Sequence, residues 1–400
     1  MRRVSSPRGV ALLLGVAQTL AWGSTYYLPA VLAPVVVADL GAEPFLVYGA
    51  FSVAMLIAGL AAPAVGRRIQ KLGGRPVLVA SSLVLSAGLV LLALLPGLWG
   101  WCLAWVVLGF GMALGLYEAA FATLGMLYGK EARRPITMVT LCAGFASTWG
   151  WPASAALVPL LGWRGTALAY VALNLLCVLP LYLLLPTQPP APASAAKAQA
   201  EPAPPGARRT FTMLAVFFTL RSIISGAVAV HFVALFGGLG LGVAAAVAVG
   251  ALQGPSQVGG RLLEFTLGER THPLIVAKVG ALLLPLGVAA LLLVPDGQRE
   301  WAAALFMLTY GASNGILTIS KGQVPLVLFG PRQYPVLMGK LTLPMLVAQA
   351  LAPTLAAPLV ATLPASASFG VILVLSVLAL GCLLPLRVPP GPPEDAPAAR

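Results

Sequence analysis

The chain has 400 residues, of which 59% are hydrophobic and only 9% are charged. A soluble domain carries roughly 25% charged residues, so this composition excludes an ordinary water-facing surface and indicates a protein that meets lipid. The net charge of +13 is not gathered in basic runs with interleaved aromatics, and we therefore expect no nucleic-acid partner. The four cysteines lie apart in apolar stretches, so we expect no metal site and no cofactor.

Twelve apolar runs are long enough to cross a bilayer, since about 20 helical residues span roughly 30 Å of hydrocarbon. The first six cover 10–37, 45–65, 76–95, 99–127, 136–161 and 166–185. The stretch 187–210 is rich in Pro and Ala and predicts a flexible linker, because it has too few large apolar residues to pack. The last six cover 211–236, 242–263, 274–294, 301–319, 334–363 and 369–386.

These runs predict an all-α, polytopic membrane protein with twelve transmembrane helices in two six-helix bundles. The bundles occupy 1–186 and 211–388, with the linker at 187–210 between them and a disordered tail at 389–400. The strands of a transmembrane β-barrel are segments of about ten residues in which apolar and polar residues alternate. The continuous apolar runs of this chain therefore favour helices over a β-barrel.

Most of the basic residues that lie between the apolar runs fall on one side of the predicted membrane. Arg164 and Arg299 fall on one side, and eighteen others fall on the side that holds both termini. The positive-inside rule then places both termini in the cytoplasm of a cell-membrane protein. The eighteen are Arg2, Arg3, Arg8, Arg67, Arg68, Lys71, Arg75, Lys130, Arg133, Arg134, Lys197, Arg208, Arg209, Arg261, Arg270, Arg332, Arg387 and Arg400.

A basic turn recurs at the same place in each half. Gly66-Arg67 is followed by Gly73 and Arg75 in the first half. In the second half, Gly260-Arg261 is followed by another Gly and Arg at a similar spacing. This recurrence indicates an internal duplication, which is the usual construction of secondary transporters.

The first of these turns is similar to a signature loop of the major facilitator superfamily. Gly66, Lys71, Gly73 and Arg75 match the signature in type, whereas Gln70 stands where the family has Asp. Together with the six-plus-six layout, the loop makes the chain resemble this superfamily over nearly its whole length. The resemblance implies transport by alternating access and a conformational role for the four matching loop residues. It also implies a central cavity lined by the first, fourth, seventh and tenth spans.

Polar side chains interrupt those four spans. An ionisable group inside hydrocarbon costs several kcal/mol, so it usually faces a cavity or a partner. On the first span, Gln18, Trp22 and Tyr26 share one face because they are four residues apart. The substrate-binding residues that we expect are Gln18, Trp22, Tyr26, Tyr117, Arg221, Tyr310, Asn314 and Lys321.

Two side chains are expected to carry protons, because a carboxyl and an imidazole can each take up and release one. They are Glu118 on the fourth span and His231 on the seventh. Structural alternatives stay open: Glu118 could pair with Arg221, His231 could serve packing, and Lys321 could extend to the membrane surface.

Within the spans, basic residues outnumber the acid Glu118, which favours an anionic or zwitterionic solute, such as a carboxylate, with protons as the coupling ion. The rival transport function is efflux of amphipathic drugs or metabolites, which would use the aromatic side chains. A membrane sensor or scaffold is the alternative from another class, but such proteins usually carry a sizeable soluble domain. No catalytic set or nucleotide-binding loop occurs, so we expect no enzyme. The expected partners are a small molecule, protons and the lipid bilayer, and the expected state is a monomer.

Overall fold

In a computed structural model, residues 6–187, 207–267, 271–295 and 299–387 are described, and they are almost entirely helical. The first half contains α1 (Pro7–Ser24), α2 (Pro29–Leu40), α3 (Pro44–Leu72), α4 (Gly74–Leu94), α5 (Gly97–Gly115), α6 (Tyr117–Tyr128), α7 (Arg133–Ala143), α8 (Ala146–Leu173) and α9 (Leu179–Leu183). The second half contains α10 (Ala207–Gly237), α11 (Val243–Ala251), α12 (Gln253–Leu267), α13 (Pro273–Leu293), α14 (Arg299–Thr362) and α15 (Ala365–Leu383).

Nine helical segments within the described residues are long and apolar enough to cross a membrane. In two of them a glycine breaks the helix, because Gly162 (φ 69°) and Gly330 (φ 76°) adopt the left-handed region that favours glycine. The predicted run 242–263 is divided into the two shorter helices α11 and α12. The all-α, multi-pass fold is therefore confirmed, and the count of twelve spans stays a prediction.

Several predicted spans are interrupted near their middle. Residues 25–28 form a turn between α1 and α2, and Pro29 then begins α2. Leu116 separates α5 from α6 with an extended backbone, and Gly144 with Phe145 separates α7 from α8. Such breaks are tolerated at membrane depth where the backbone faces protein or a cavity.

The two halves pack against each other along α3 and α14, and this contact requires very small residues. A Cβ atom at Gly66 would overlap the Pro335 carbonyl oxygen and lie 3.0 Å from the carbonyl carbon. A Cβ at Gly339 would lie 2.8 Å from the Cα of Pro63. The backbones of the two helices therefore touch directly, as small residues permit between membrane helices.

One boundary of the predicted domains can be compared with the described residues. Helix α10 begins at Ala207, whereas the linker was predicted to continue to residue 210. The rest of the predicted linker, residues 188–206, and the predicted tail, residues 389–400, lie outside the described residues.

Candidate functional site

A cavity of about 550 Å³ lies between the two halves. Its lining comes from α1, α3, α5 and α6 in the first half and from α10, α12 and α14 in the second. Ala229 and Trp151 line it as well, and both are exposed, so the cavity reaches the surface at the end away from the basic loops. Seven of the eight predicted substrate-binding residues line it: Trp22, Tyr26, Tyr117, Arg221, Tyr310, Asn314 and Lys321.

Aromatic side chains of the first half form one wall of the cavity. The ring centroid of Trp22 lies 4.6 Å from that of Tyr26 and 4.8 Å from that of Tyr117. Tyr27 and Trp151 continue the wall, with ring centroids 5.6 Å apart. Three of these residues lie at breaks of the helices, since Tyr26 and Tyr27 are in the turn after α1 and Tyr117 begins α6. The breaks therefore direct a dense aromatic surface into the cavity.

Gln18 is the predicted substrate-binding residue that does not line the cavity. Its amide nitrogen donates to the Gly115 carbonyl at 2.5 Å and to the Tyr182 hydroxyl at 3.1 Å. Its amide oxygen accepts a hydrogen bond from the Trp22 indole at 3.3 Å. Gln18 is fully buried behind Trp22, where it joins α1 to α5 and α9.

Arg221 lies near the middle of α10 and is only 6% exposed. Its Nη2 donates to the Asn314 Oδ1 at 2.7 Å and to the Ser313 Oγ at 3.2 Å. Its Nη1 is buried and has no hydrogen-bond partner among the described residues. The contacts of this guanidinium are thus to neutral groups, and its positive charge is not balanced by them.

Glu118 and Lys321 form an ion pair across the two halves. The Lys321 Nζ lies 2.6 Å from the Glu118 Oε1, and each side chain is less than one-fifth exposed. Both residues line the cavity. The structure therefore gives Glu118 a cationic partner in α14, whereas the alternative pairing with Arg221 is not observed.

Helix α12 also contributes a polar face to the cavity, and this face was not predicted. Gln253, Gln257 and Arg261 on α12 all line the cavity, and their spacing of four residues puts them on one face of the helix. The prediction of Arg261 as a loop charge is wrong, because α12 continues to Leu267 and buries this side chain. The spacing rule that identified the face of the first span would have found this face too.

Arg261 reaches across the cavity to the first half. Its Nη1 donates to the Thr140 carbonyl at 3.2 Å, and its buried Nε has no hydrogen-bond partner among the described residues. Gly144 gives it space, since a Cβ there would lie 2.5 Å from the Arg261 Nη1. A break between α7 and α8 at Gly144 thus accommodates a cation from α12.

His231 and the signature loop lie away from the cavity lining. The His231 Nε2 is 2.9 Å from the Pro353 carbonyl oxygen. In the loop, Lys71 is exposed, Gly73 takes φ 82° at the end of α3, and Gly66 packs on Pro335. Gln70, at the position where the signature has Asp, donates to the Arg332 carbonyl at 2.9 Å. Arg75, the remaining matching residue, is partly buried near the start of α4.

Polar contacts join the halves at the end that carries the basic loops. Glu264 of α12 is buried there and accepts a hydrogen bond from Thr137 at 3.2 Å, while Arg133 lies 3.8 Å away. Gln323 donates to Thr137 at 2.9 Å and accepts from Arg133 at 3.1 Å. The cavity is therefore closed at the basic-loop end and open at the opposite end.

The described residues thus form a helical, multi-pass membrane protein with a polar cavity between two packed halves. The family sequence model named Major Facilitator Superfamily matches residues 14–323, and the chain belongs to this superfamily. It is therefore a multi-pass membrane transporter and not an enzyme, as the sequence predicted.

Two solved structures are similar to this chain in fold. The human organic anion transporter MFSD10 (TETRAN) has a TM-score of 0.75 and 16% identity, and the match covers 94% of this chain and 99% of the other. The Escherichia coli fucose:proton symporter FucP has a TM-score of 0.69 and 12% identity, with 94% and 97% coverage. A comparison with curated proteins gives no match.

Proposed function

We propose that this chain is a secondary transporter that moves an organic anion, such as a carboxylate, together with protons by alternating access. The observation that carries this proposal is the charge of the cavity. Arg221, Arg261 and Lys321 line it, against the single carboxylate of Glu118. An anion entering the cavity would balance charges that are otherwise expensive at membrane depth.

The ion pair of Glu118 with Lys321 supplies a route for coupling. When Glu118 takes up a proton it loses its charge, and Lys321 becomes available to an anion. Conversely, an anion on Lys321 competes with the carboxylate and favours its protonation. Each ligand therefore makes binding of the other more favourable, which is a reciprocal coupling of proton and anion.

The distribution of basic residues supports an orientation in the cell membrane with both termini in the cytoplasm. In that orientation the observed cavity opens away from the cytoplasm. A monomer is part of this proposal, in which the two halves of one chain supply the described lining of the cavity.

Efflux of an amphipathic compound is the second candidate, because the aromatic wall of Trp22, Tyr26 and Trp151 would suit it. A panel of labelled solutes in proteoliposomes distinguishes the two functions. We expect carboxylates to enter faster when the pH is lower on the side from which they enter. Transport confined to amphipathic cations would overturn the anion proposal.

Arg221→Gln tests the contribution of the central cation. We expect the affinity for the anion to fall by about tenfold or more, which corresponds to the loss of roughly 1.4 kcal/mol of binding free energy, and uptake at low anion concentration to fall with it. Arg209→Gln is the matched control, since it removes the same charge from the exposed beginning of the same helix. If a folded Arg221→Gln protein transports every anion at the rate of the control, the proposed function is wrong.

Glu118→Gln tests the coupling. Its neutral amide cannot take up a proton, so we expect uptake with and without a pH gradient to become equal in rate. If a pH gradient accelerates uptake by this variant as much as it does in the wild-type protein, coupling belongs to another group.

A further inference from the structure

Two arginines in the cavity have no acidic partner among the described residues. Arg221 contacts Ser313 and Asn314, and Arg261 contacts the Thr140 carbonyl, so all of these partners are neutral. Each arginine is 6% exposed. A buried charge without a counter-charge is costly even when neutral groups donate or accept hydrogen bonds around it.

The acid of the described cavity lining, Glu118, and the acid of α12, Glu264, are already engaged elsewhere. Glu118 pairs with Lys321, and Glu264 contacts Arg133 and Thr137. Both acids therefore balance other cations. The described lining of the cavity is left with two positive charges that the protein itself does not balance.

The two arginines line the same cavity, and the helices that carry them pack against the same stretch of α14. Arg221 contacts Asn314, and the backbone of α12 at Arg261 packs against the next residue of α14, Gly315. A Cβ at Gly315 would lie 3.3 Å from the Arg261 backbone nitrogen. The helices that carry the two arginines, α10 and α12, thus both contact α14 at residues 314–315.

We propose that the transported solute is an organic dianion, with one negative charge placed at Arg221 and the other at Arg261. The inference rests on the proposed function and narrows it to a charge class. Guanidinium groups suit this role because each presents several donors in a plane that matches a carboxylate or phosphate. Such a dianion could be a dicarboxylate or a phosphate monoester, because a guanidinium binds either kind of charged group in the same way.

The test compares solutes that differ in one charge. Succinate, glutarate and adipate, each with its monomethyl ester, are measured by ligand-induced thermal shift and by uptake in proteoliposomes of the full chain. A simple alkyl phosphate is compared with its methyl diester as the second source. We expect a dianion to bind about tenfold or more tightly than its monoanionic counterpart, since each tenfold corresponds to roughly 1.4 kcal/mol.

Arg261→Gln tests whether Arg261 binds the second negative charge of the dianion. The affinity for the dianion is expected to fall much more than that for the monoanion, so their ratio drops towards one. Arg261→Lys, which keeps the charge, is expected to restore part of the ratio, and Arg209→Gln is expected to keep it entirely.

Equal affinities of wild-type protein for dianion and monoanion would overturn this inference while leaving anion transport intact. An unchanged ratio in folded Arg261→Gln would overturn it as well. Failure of the wild-type protein to bind or transport any anion would instead remove the proposed function itself.

Discussion

Replacing Gly66 by Ala is expected to shift the protein towards a conformation open at the basic-loop end. The added methyl would overlap the Pro335 carbonyl oxygen and lie 3.0 Å from the carbonyl carbon, with the Cα of Val336 at 3.3 Å. Ordinary contacts between carbon atoms are about 3.5–4.0 Å, so α3 and α14 must separate by roughly 0.5–1 Å. Because the obstructing atoms are backbone, no side-chain rotation relieves the overlap.

The cost of such overpacking is about 1–3 kcal/mol. It applies only while the halves are in contact at this end, so it changes the ratio of closed to open conformations there by roughly 5- to 150-fold. Electron paramagnetic resonance measures this ratio through the distance between spin labels on Arg68 and Gln333. Both positions are exposed and lie on opposite halves at the basic-loop end.

Gly49→Ala is the matched control for this experiment. Gly49 lies in the same helix, and a Cβ there would meet nothing within 4 Å. We expect a longer label distance in Gly66→Ala and no change in Gly49→Ala. An unchanged distance in a folded Gly66→Ala protein would refute the argument that this contact holds the end closed, and with it the predicted role of Gly66 in conformational change.

Two further predictions concern residues outside the cavity lining. Gln18→Leu leaves the Gly115 carbonyl without its partner, so we expect a loss of about 1–3 kcal/mol of stability, seen as a lower melting temperature. The KM for the transported anion should change little, and a raised KM at unchanged stability would instead favour direct substrate binding. Burial, and secondarily the charge of Arg133, lower the pKa of His272 below its usual 6.5. The unfolded chain then binds the proton more tightly, so this contribution to stability is complete above about pH 6.5 and is lost as the pH falls below it. His272→Asn, whose side chain can still accept from the Leu274 N–H, should flatten the acid-side decline of the melting temperature, and an unaltered decline would contradict this assignment.

Hydropathy predicts most of the fold because an apolar run of sufficient length has few alternatives in a membrane. The predicted gap at 162–165 contains the break at Gly162. The gap at 320–333 contains Gly330, although the helix continues well beyond the predicted end at residue 319. The breaks at 25–28 and at Leu116 were not predicted, because each lies inside a run that is long and apolar enough to be counted as a single span. Their backbone geometry depends on neighbouring helices, which hydropathy does not describe.

The candidate site was predicted in part for the same reason. The sequence shows directly which polar residues lie inside the four spans that were expected to line the cavity. Most of these residues do line it. Arg261 was missed because it was counted with the loop charges, although it falls within the run 242–263. Gln18 fits the same pattern as Trp22 but faces its own half, since a spacing of four residues identifies a shared face and not its neighbour.

The partner of Glu118 could not be derived from sequence, because it depends on how the halves are placed against each other. Arg221 contacts Asn314, and Lys321 lies seven residues further along α14, about 10 Å deeper from the open end. Glu118 meets the helix at this deeper level, which explains why it selects Lys321 and leaves Arg221 unbalanced. An anion entering beside Ala229 therefore reaches Arg221 before it reaches the ion pair. In the proposed function the anion is therefore held at Arg221 before it competes with Glu118 for Lys321.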